Sequence, residues 1–157
     1  MQKITPCLWF NGRVEEALDL YTSVFKNGKI TTVSHYGEGA PMPAGSVLTA
    51  VFEIEGQKFM ILNGGPHFTP NEAISFCIEC KDQEEIDYYW NSLTANGGTE
   101  CMCGWLKDPY GISWQVVPKG LGELLTQKDP QKSQNVMQAL MQMQKLDISK
   151  LKEAANL

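Results

Sequence analysis

The sequence predicts an α+β protein made of two similar strand–helix–strands halves followed by a helical tail. Three observations carry this. A helix-like stretch near the start recurs further along at a constant offset of 69 positions, with no gap. Short apolar runs bounded by Gly, Pro and Asn surround both copies and read as strands. The last stretch, "QKSQNVMQALMQMQKLDISKLKEAANL", has helical spacing and no strand signal.

The first apolar run, "TPCLWF", reads as a short strand. It leads into "EEALDLYTSVFKNGK" at 15–29, where Ala17, Leu20, Tyr21, Val24 and Phe25 recur at three-and-four spacing and an Asn-Gly pair marks the stop. "KITTVSHY", "SVLTAVFEIEG" and "QKFMILNG" follow as strands. The second half opens on the strand "ISFCIEC" and enters "EEIDYYWNSLTANGG" at 84–98, with Ile86, Tyr89, Trp90 and Leu93 on one face. Glu15/Glu84, Glu16/Glu85, Ser23/Ser92, Asn27/Asn96 and Gly28/Gly97 are identical between the two copies, and Tyr21 matches Trp90. "TECMCGWLKD" and "GISWQVVP" complete this half as strands around Asp-Pro-Tyr-Gly, a strong turn. "EGQ" and "NGG" read as hairpin turns, because no strand–Gly-rich–helix arrangement follows that would cradle a phosphate.

In the tail, Val136, Leu140, Met141 and Met143 make a soft apolar stripe suited to packing on the sheet or on a second subunit. Asp147 or Ser149 can cap a restarted helix. The expected organisation is one domain over 1–157, with module one at about 1–66, module two at about 72–118 and the tail at about 121–157. One half leaves an apolar sheet face that it cannot cover alone, so two copies side by side would curve their sheets around one shared space.

Composition narrows the partners. At 157 residues, 43% hydrophobic and 20% charged, the chain can bury a real core. A formal net charge of −5 argues against a nucleic-acid backbone or an anionic membrane as main partner. No run approaches a membrane span, and "MQKITPCLWF" has no signal-peptide pattern. Five cysteines without a secretory signal point to reduced thiols in a cytoplasm. A four-thiolate zinc site from Cys77, Cys80, Cys101 and Cys103 is disfavoured: on a strand Cys77 and Cys80 point to opposite faces, whereas Cys101 and Cys103 would share one. Small buried thiols are the better reading.

The repeated halves, "FNGRVEEALDLYTSVF" in the first and "GWLKDPYGISWQVVP" in the second, resemble the vicinal oxygen chelate superfamily, which includes glyoxalase I, extradiol dioxygenases and the bleomycin and fosfomycin resistance proteins. "NEAISFCIECKDQEEIDYYW" and "MQALMQMQKLDISKLKEA" are similar to its PhnB-like branch, the "3-demethylubiquinone-9 3-methyltransferase" domain family. The resemblance implies paired βαβββ modules forming an open barrel-like mixed sheet around a cavity, and commonly a homodimer. It also implies a divalent metal held by His or Glu on the first and last strands of each module. Those positions fall here on Pro6, Asn63, Ser75 and Gln115. Proline cannot ligate through its side chain, serine rarely does, and neutral amides are poor ligands for a divalent ion. No metal and no other cofactor are therefore expected. A methyl transferase using S-adenosylmethionine normally needs a Gly-rich loop after a first strand, and "FNGRVEEA" offers one glycine.

The expected function is binding of a small polar-aromatic ligand. Gln115 and Asn63 would serve as donor–acceptor amides, with Trp9, Phe10, Phe59, Trp105 and Trp114 as aromatic lining and Ser75 and Glu79 on one strand face. The competing reading of the two amides is a satisfied pair inside a closed core. Two other functions stay open: a metal-dependent lyase or dioxygenase with substituted ligands, and a dimeric sequestration protein of bleomycin-resistance type. An ion held by another route would draw on His67, Cys101 or Cys103 with Glu53, Glu79 or Asp108. His35 and His67 are the only histidines that could act as a base. Asp108 is better suited to fixing the Asp-Pro-Tyr-Gly turn.

Overall fold

The alternation of apolar and polar residues in "VLTAVFEI" and "QKFMILN" produces two strands joined by the tightest connection available. Glu55 (φ 48°) and Gly56 (φ 75°) both sit in the left-handed region between paired Ile54 and Gln57. A two-residue loop of that kind matches the right-handed twist of the strands it joins. The computed structural model describes residues 1–156, so the last position of the expected tail, Leu157, lies outside the described residues. The chain divides into two compact units, Met1–Pro70 and the part from Asn71 on.

The first unit contains β1 (Cys7–Phe10), α1 (Val14–Val24), β2 (Lys29–His35), β3 (Val47–Ile54) and β4 (Gln57–Asn63). Its sheet has the order β1-β4-β3-β2, with β1 parallel to β4 and the other pairs antiparallel. Helix α1 buries Val14, Ala17, Leu18, Tyr21 and Val24. The Tyr21 ring stacks on Phe52 at 5.7 Å, and Phe52 on Phe59 at 5.5 Å. Full burial of each such side chain contributes about 1.5–3 kcal/mol. The Asn-Gly stop is real: Asn27 turns left-handed at φ 56°, as Asn96 does after the second helix.

The "NGG" stretch is not a hairpin. Gly64 and Gly65 donate to the Phe10 carbonyl at 3.0 and 3.3 Å, and the Trp9 indole donates to the Gly65 carbonyl at 2.8 Å. A Cβ on Gly64 would fall 2.4 Å from the Trp9 ring, so the glycine is there to let the ring lie flat on the backbone.

The second unit repeats the plan: β5 (Ser75–Cys80), α2 (Gln83–Thr94), β6 (Thr99–Glu100), β7 (Trp105–Lys107) and β8 (Ser113–Pro118). The sheet order is β5-β8-β7-β6, again with the outer β5 parallel to its neighbour. Helix α2 starts at a reciprocal cap: Asp82 Oδ1 accepts from the Glu85 amide, and Glu85 Oε2 accepts from the Lys81 amide. Ile86, Tyr89, Trp90 and Leu93 are its buried residues.

The expected strand "TECMCGWLKD" is interrupted. Cys103 (φ 62°) and Gly104 (φ 80°) are left-handed, and their amides donate to the carbonyls of Met143 and Gln144 at 2.7 and 2.8 Å. The run splits into β6 and β7 because its middle amides bond to the tail rather than to a neighbouring strand. Cys101 and Cys103 therefore share no strand face.

The tail folds as α3 (Leu121–Leu125), α4 (Pro130–Met141) and α5 (Ile148–Ala154). Asp129 and Asp147 cap the last two, so Asp147 rather than Ser149 makes the restart. Val136, Leu140, Leu146, Leu151 and Ala155 form a buried cluster on which Val117, Leu121 and Cys103 pack. Of the expected stripe, Val136 and Leu140 are buried with Met143 packed beside them, whereas Met141 is exposed. Gln83 ties the tail to α2: its amide donates to the Leu146 carbonyl at 3.0 Å and accepts from the Ile148 amide at 2.9 Å.

Candidate functional site

In a strand, neighbouring side chains point to opposite faces. In the second unit this rule sorts the expected site residues into two groups. Trp114, Leu106 and Val116 are buried on the α2 side of the sheet. Ser75, Cys77 and Glu79 of β5, Ser113, Gln115 and Val117 of β8, and Trp105 and Lys107 of β7 lie on the other side. Their registers place them in rows: Ser75–Ser113–Lys107, then Cys77–Gln115–Trp105, then Glu79–Val117.

Trp114 is thus no lining residue beside Gln115. It is 3% exposed, and its indole donates to Asp108 Oδ2 at 2.9 Å. Asp108, 2% exposed, also takes the amides of Tyr110 at 2.9 Å and Ile112 at 3.0 Å on Oδ1. Three donors on one carboxylate satisfy its charge, so Asp108 fixes the Asp-Pro-Tyr-Gly turn and anchors Trp114. It is no candidate metal ligand.

Asn63 is also a core residue. It follows Phe59 and Ile61 on the α1 side of β4. Its Oδ1 accepts from the Gly12 amide at 2.9 Å, its Nδ2 donates to the Val47 carbonyl at 3.0 Å, and its own carbonyl takes the Tyr36 hydroxyl. The side chain is satisfied by protein groups, as the closed-core reading has it, but its partners are backbone and not Gln115. Phe10 and Phe59 are buried on the same side.

The expected equivalence of Asn63 with Gln115 fails on register. Counting three back from the buried strand ends Phe10 and Cys80 gives Cys7, paired with Met60, and Cys77, paired with Gln115. Met60 is therefore the counterpart of Gln115. The connection from β1 to α1 is one residue longer than that from β5 to α2, and this shifts the strand repeat by one against the helix repeat. Trp9 does face away from α1, half-buried, with Phe68 edge-on at 4.8 Å.

On the second unit's face away from α2, several groups have bonding capacity to spare. Gln115 Nε2 donates to Ser75 Oγ at 2.9 Å, which confirms that the two side chains share this face. The Gln115 carbonyl oxygen takes no donor among the described residues. Of the four tryptophans, three donate their indole N–H to Gly65, Glu100 and Asp108. The Trp105 indole donates to no described residue, although Trp105 is half-buried. Ser113, 1% exposed, has a buried hydroxyl without a partner. Such groups normally find one. Lys107 pairs with Glu72, whose carboxyl is held below its ordinary range by the hydrogen bond from the ammonium.

Sequence reasoning missed Ser113, Lys107 and Glu72, and read Cys77 as a buried thiol, whereas it is exposed. Period two from Gln115 yields Ser113 and the hairpin register around Asp-Pro-Tyr-Gly yields Lys107, but Glu72 sits in an irregular segment with no such signal. Cys7 and Cys77 are exposed, with thiols raised by partial burial, and for Cys77 also by the Glu79 carboxylate. Of the five thiols only Cys80 is buried, and desolvation pushes its thiol to about 12. His35 and His67 are exposed. No group of three or more His, Cys, Asp or Glu is placed to hold a metal ion among the described residues. No helix among them is long and apolar enough to cross a membrane.

The paired strand–helix–strands units, each with its outer first strand parallel to its last, define the glyoxalase-type class of fold. The family model described as 3-demethylubiquinone-9 3-methyltransferase matches residues 2–117, and the chain belongs to that family, the PhnB-like branch of the vicinal oxygen chelate superfamily. A PhnB protein from Bacillus cereus bearing the same methyltransferase description is 37% identical, with a TM-score of 0.69 over 74% of this chain and 99% of its own. A glyoxalase/bleomycin resistance protein from Albidiferax ferrireducens (16% identity, TM-score 0.50, 75% of this chain and 99% of its own) shares the fold. So does the fosfomycin resistance protein FosX from Listeria monocytogenes (14%, 0.54, 78% and 97%). No protein of curated function matches. The family match stops just before α3, so the tail lies beyond it.

Proposed function

We propose that this chain is a PhnB-like small-molecule binding domain without a resident cofactor, and that its ligand lies on the face of the second sheet away from α2. The observation that carries this is the set of unused groups in adjacent rows: the Trp105 indole N–H, the Gln115 carbonyl oxygen and the buried Ser113 hydroxyl. An aromatic surface with a few placed polar groups is what a small-ligand site requires. Ser75 holds the Gln115 amide so that its oxygen is presented, and Glu79 closes the row beyond. Trp9, in the other unit, is the remaining aromatic of the expected lining that is not committed to a core. A homodimer in a reducing cytoplasm, as the family resemblance and five free thiols suggest, completes the reading.

A thermal-shift screen of small polar aromatics tests it. Compounds that stabilise the native protein should lose most of that effect in Gln115→Ala and in Trp105→Phe. Stabilisation that both variants retain would sink the placement. Size-exclusion chromatography with light scattering tests the dimer, and a monomer at micromolar concentration would remove that part.

A further inference from the structure

Resting on that reading of the site, we propose that the ligand carries a carboxylate, that Lys107 receives it, and that Glu72 is a built-in competitor for the same ammonium. Four observations converge. Lys107 sits in the row beside Ser113, on the same sheet face as Trp105. Its ion-pair partner, Glu72, comes from the irregular segment ahead of β5, outside the sheet. Glu72 is 56% exposed against 34% for Lys107, so the acid is the more easily displaced member of the pair. The Ser113 hydroxyl, next to Lys107 across the strands, is buried and unpartnered, and it can donate to a carboxylate oxygen bound at the ammonium.

The rows set the ligand's orientation. Trp105 and Gln115 lie one row beyond Lys107 and Ser113, about 7 Å along the strands, which is the span of a carboxylate joined directly to an aromatic ring. The ring would rest on Trp105 with any polar substituent meeting the Gln115 oxygen or the indole N–H. Glu79 stands a further row away, so its charge repels a carboxylate from that end and keeps the ligand in one sense. Glu72 supplies to Lys107 the same chemical group, which keeps the ammonium neutralised and sets a threshold that simple anions do not pass. The ligand class is therefore a small aromatic carboxylate.

The experiment follows the four tryptophan indole N–H resonances by NMR at constant ionic strength, with Trp105→Phe assigning one of them. Sodium benzoate, benzamide and sodium acetate are the probes. Benzoate is expected to move the Trp105 signal saturably. Glu72→Gln should tighten benzoate binding by about three- to five-fold, the size of an exposed ion pair's contribution, and Lys107→Met should weaken it at least as much. Benzamide binding as well as benzoate, with Glu72→Gln without effect, overturns the carboxylate and leaves the neutral-ligand reading standing. Acetate matching benzoate overturns the aromatic carboxylate class. A Trp105 signal that no probe moves, in the native protein or in Glu72→Gln, overturns both the inference and the site reading beneath it.

Discussion

Trp114 and Gln115 are neighbours in the chain and serve opposite sides of one sheet: the Trp114 indole is tied to Asp108 in the core, while the Gln115 amide is tied to Ser75 on the other face. The two residues should therefore fail in different ways when changed.

Asp108→Ala should destabilise the second unit by about 2–4 kcal/mol, since it leaves two backbone amides and an indole N–H buried without an acceptor. Urea denaturation measures it. A loss below about 1 kcal/mol would show that the turn holds without its carboxylate.

Asn63→Leu should cost about 2–3 kcal/mol, because the Gly12 amide and the Val47 carbonyl both lose their partner. It should leave ligand affinity at the second unit unchanged. Affinity lost at full stability would return Asn63 to the binding face, against its register.

Gln115→Glu places a carboxylate on the same face as Glu79, with the Cys77 thiol in its own row. Weak uptake of a divalent ion by the variant is the expected result, read by calorimetric titration against the native protein. If the two titrations coincide, position 115 does not sit where the family's ligand would.

Much of this architecture is legible in the sequence. Two helices, their Asn stops and the strand runs follow from periodicity and turn chemistry alone. The true counterpart of Gln115 was not, because strand register alone shows that Met60, three residues before Asn63, occupies its place. The interruption at Cys103 and Gly104 is also invisible locally, since its cause is a pair of tail carbonyls distant in the chain. Glu72 is the hardest of all: an ion pair from an irregular segment has no period to betray it.

Cys80 gives a pH dependence of known sign. Its thiol keeps its proton in the folded protein up to about 12, whereas an unfolded chain loses it near the ordinary thiol value. The folded state binds more protons across that interval, so stability falls as pH rises from about 9 towards 12. Cys80→Ala should flatten the slope in denaturation curves taken across the interval. An unchanged slope would assign it to other groups.

The amide contacts of Cys103 and Gly104 with Met143 and Gln144 also bear on synthesis. On a ribosome, the first unit has every strand it needs once its own residues have emerged. The second has all four of its strands by Pro118, yet the loop between β6 and β7 still lacks its acceptors, which follow about forty residues later. Emergence of Met143 and Gln144, rather than completion of the sheet, is thus the moment at which the second half can lock. A halt after Pro118 has emerged and before Met143 has would hold a nascent chain with one finished half and one that has its strands but not its clasp.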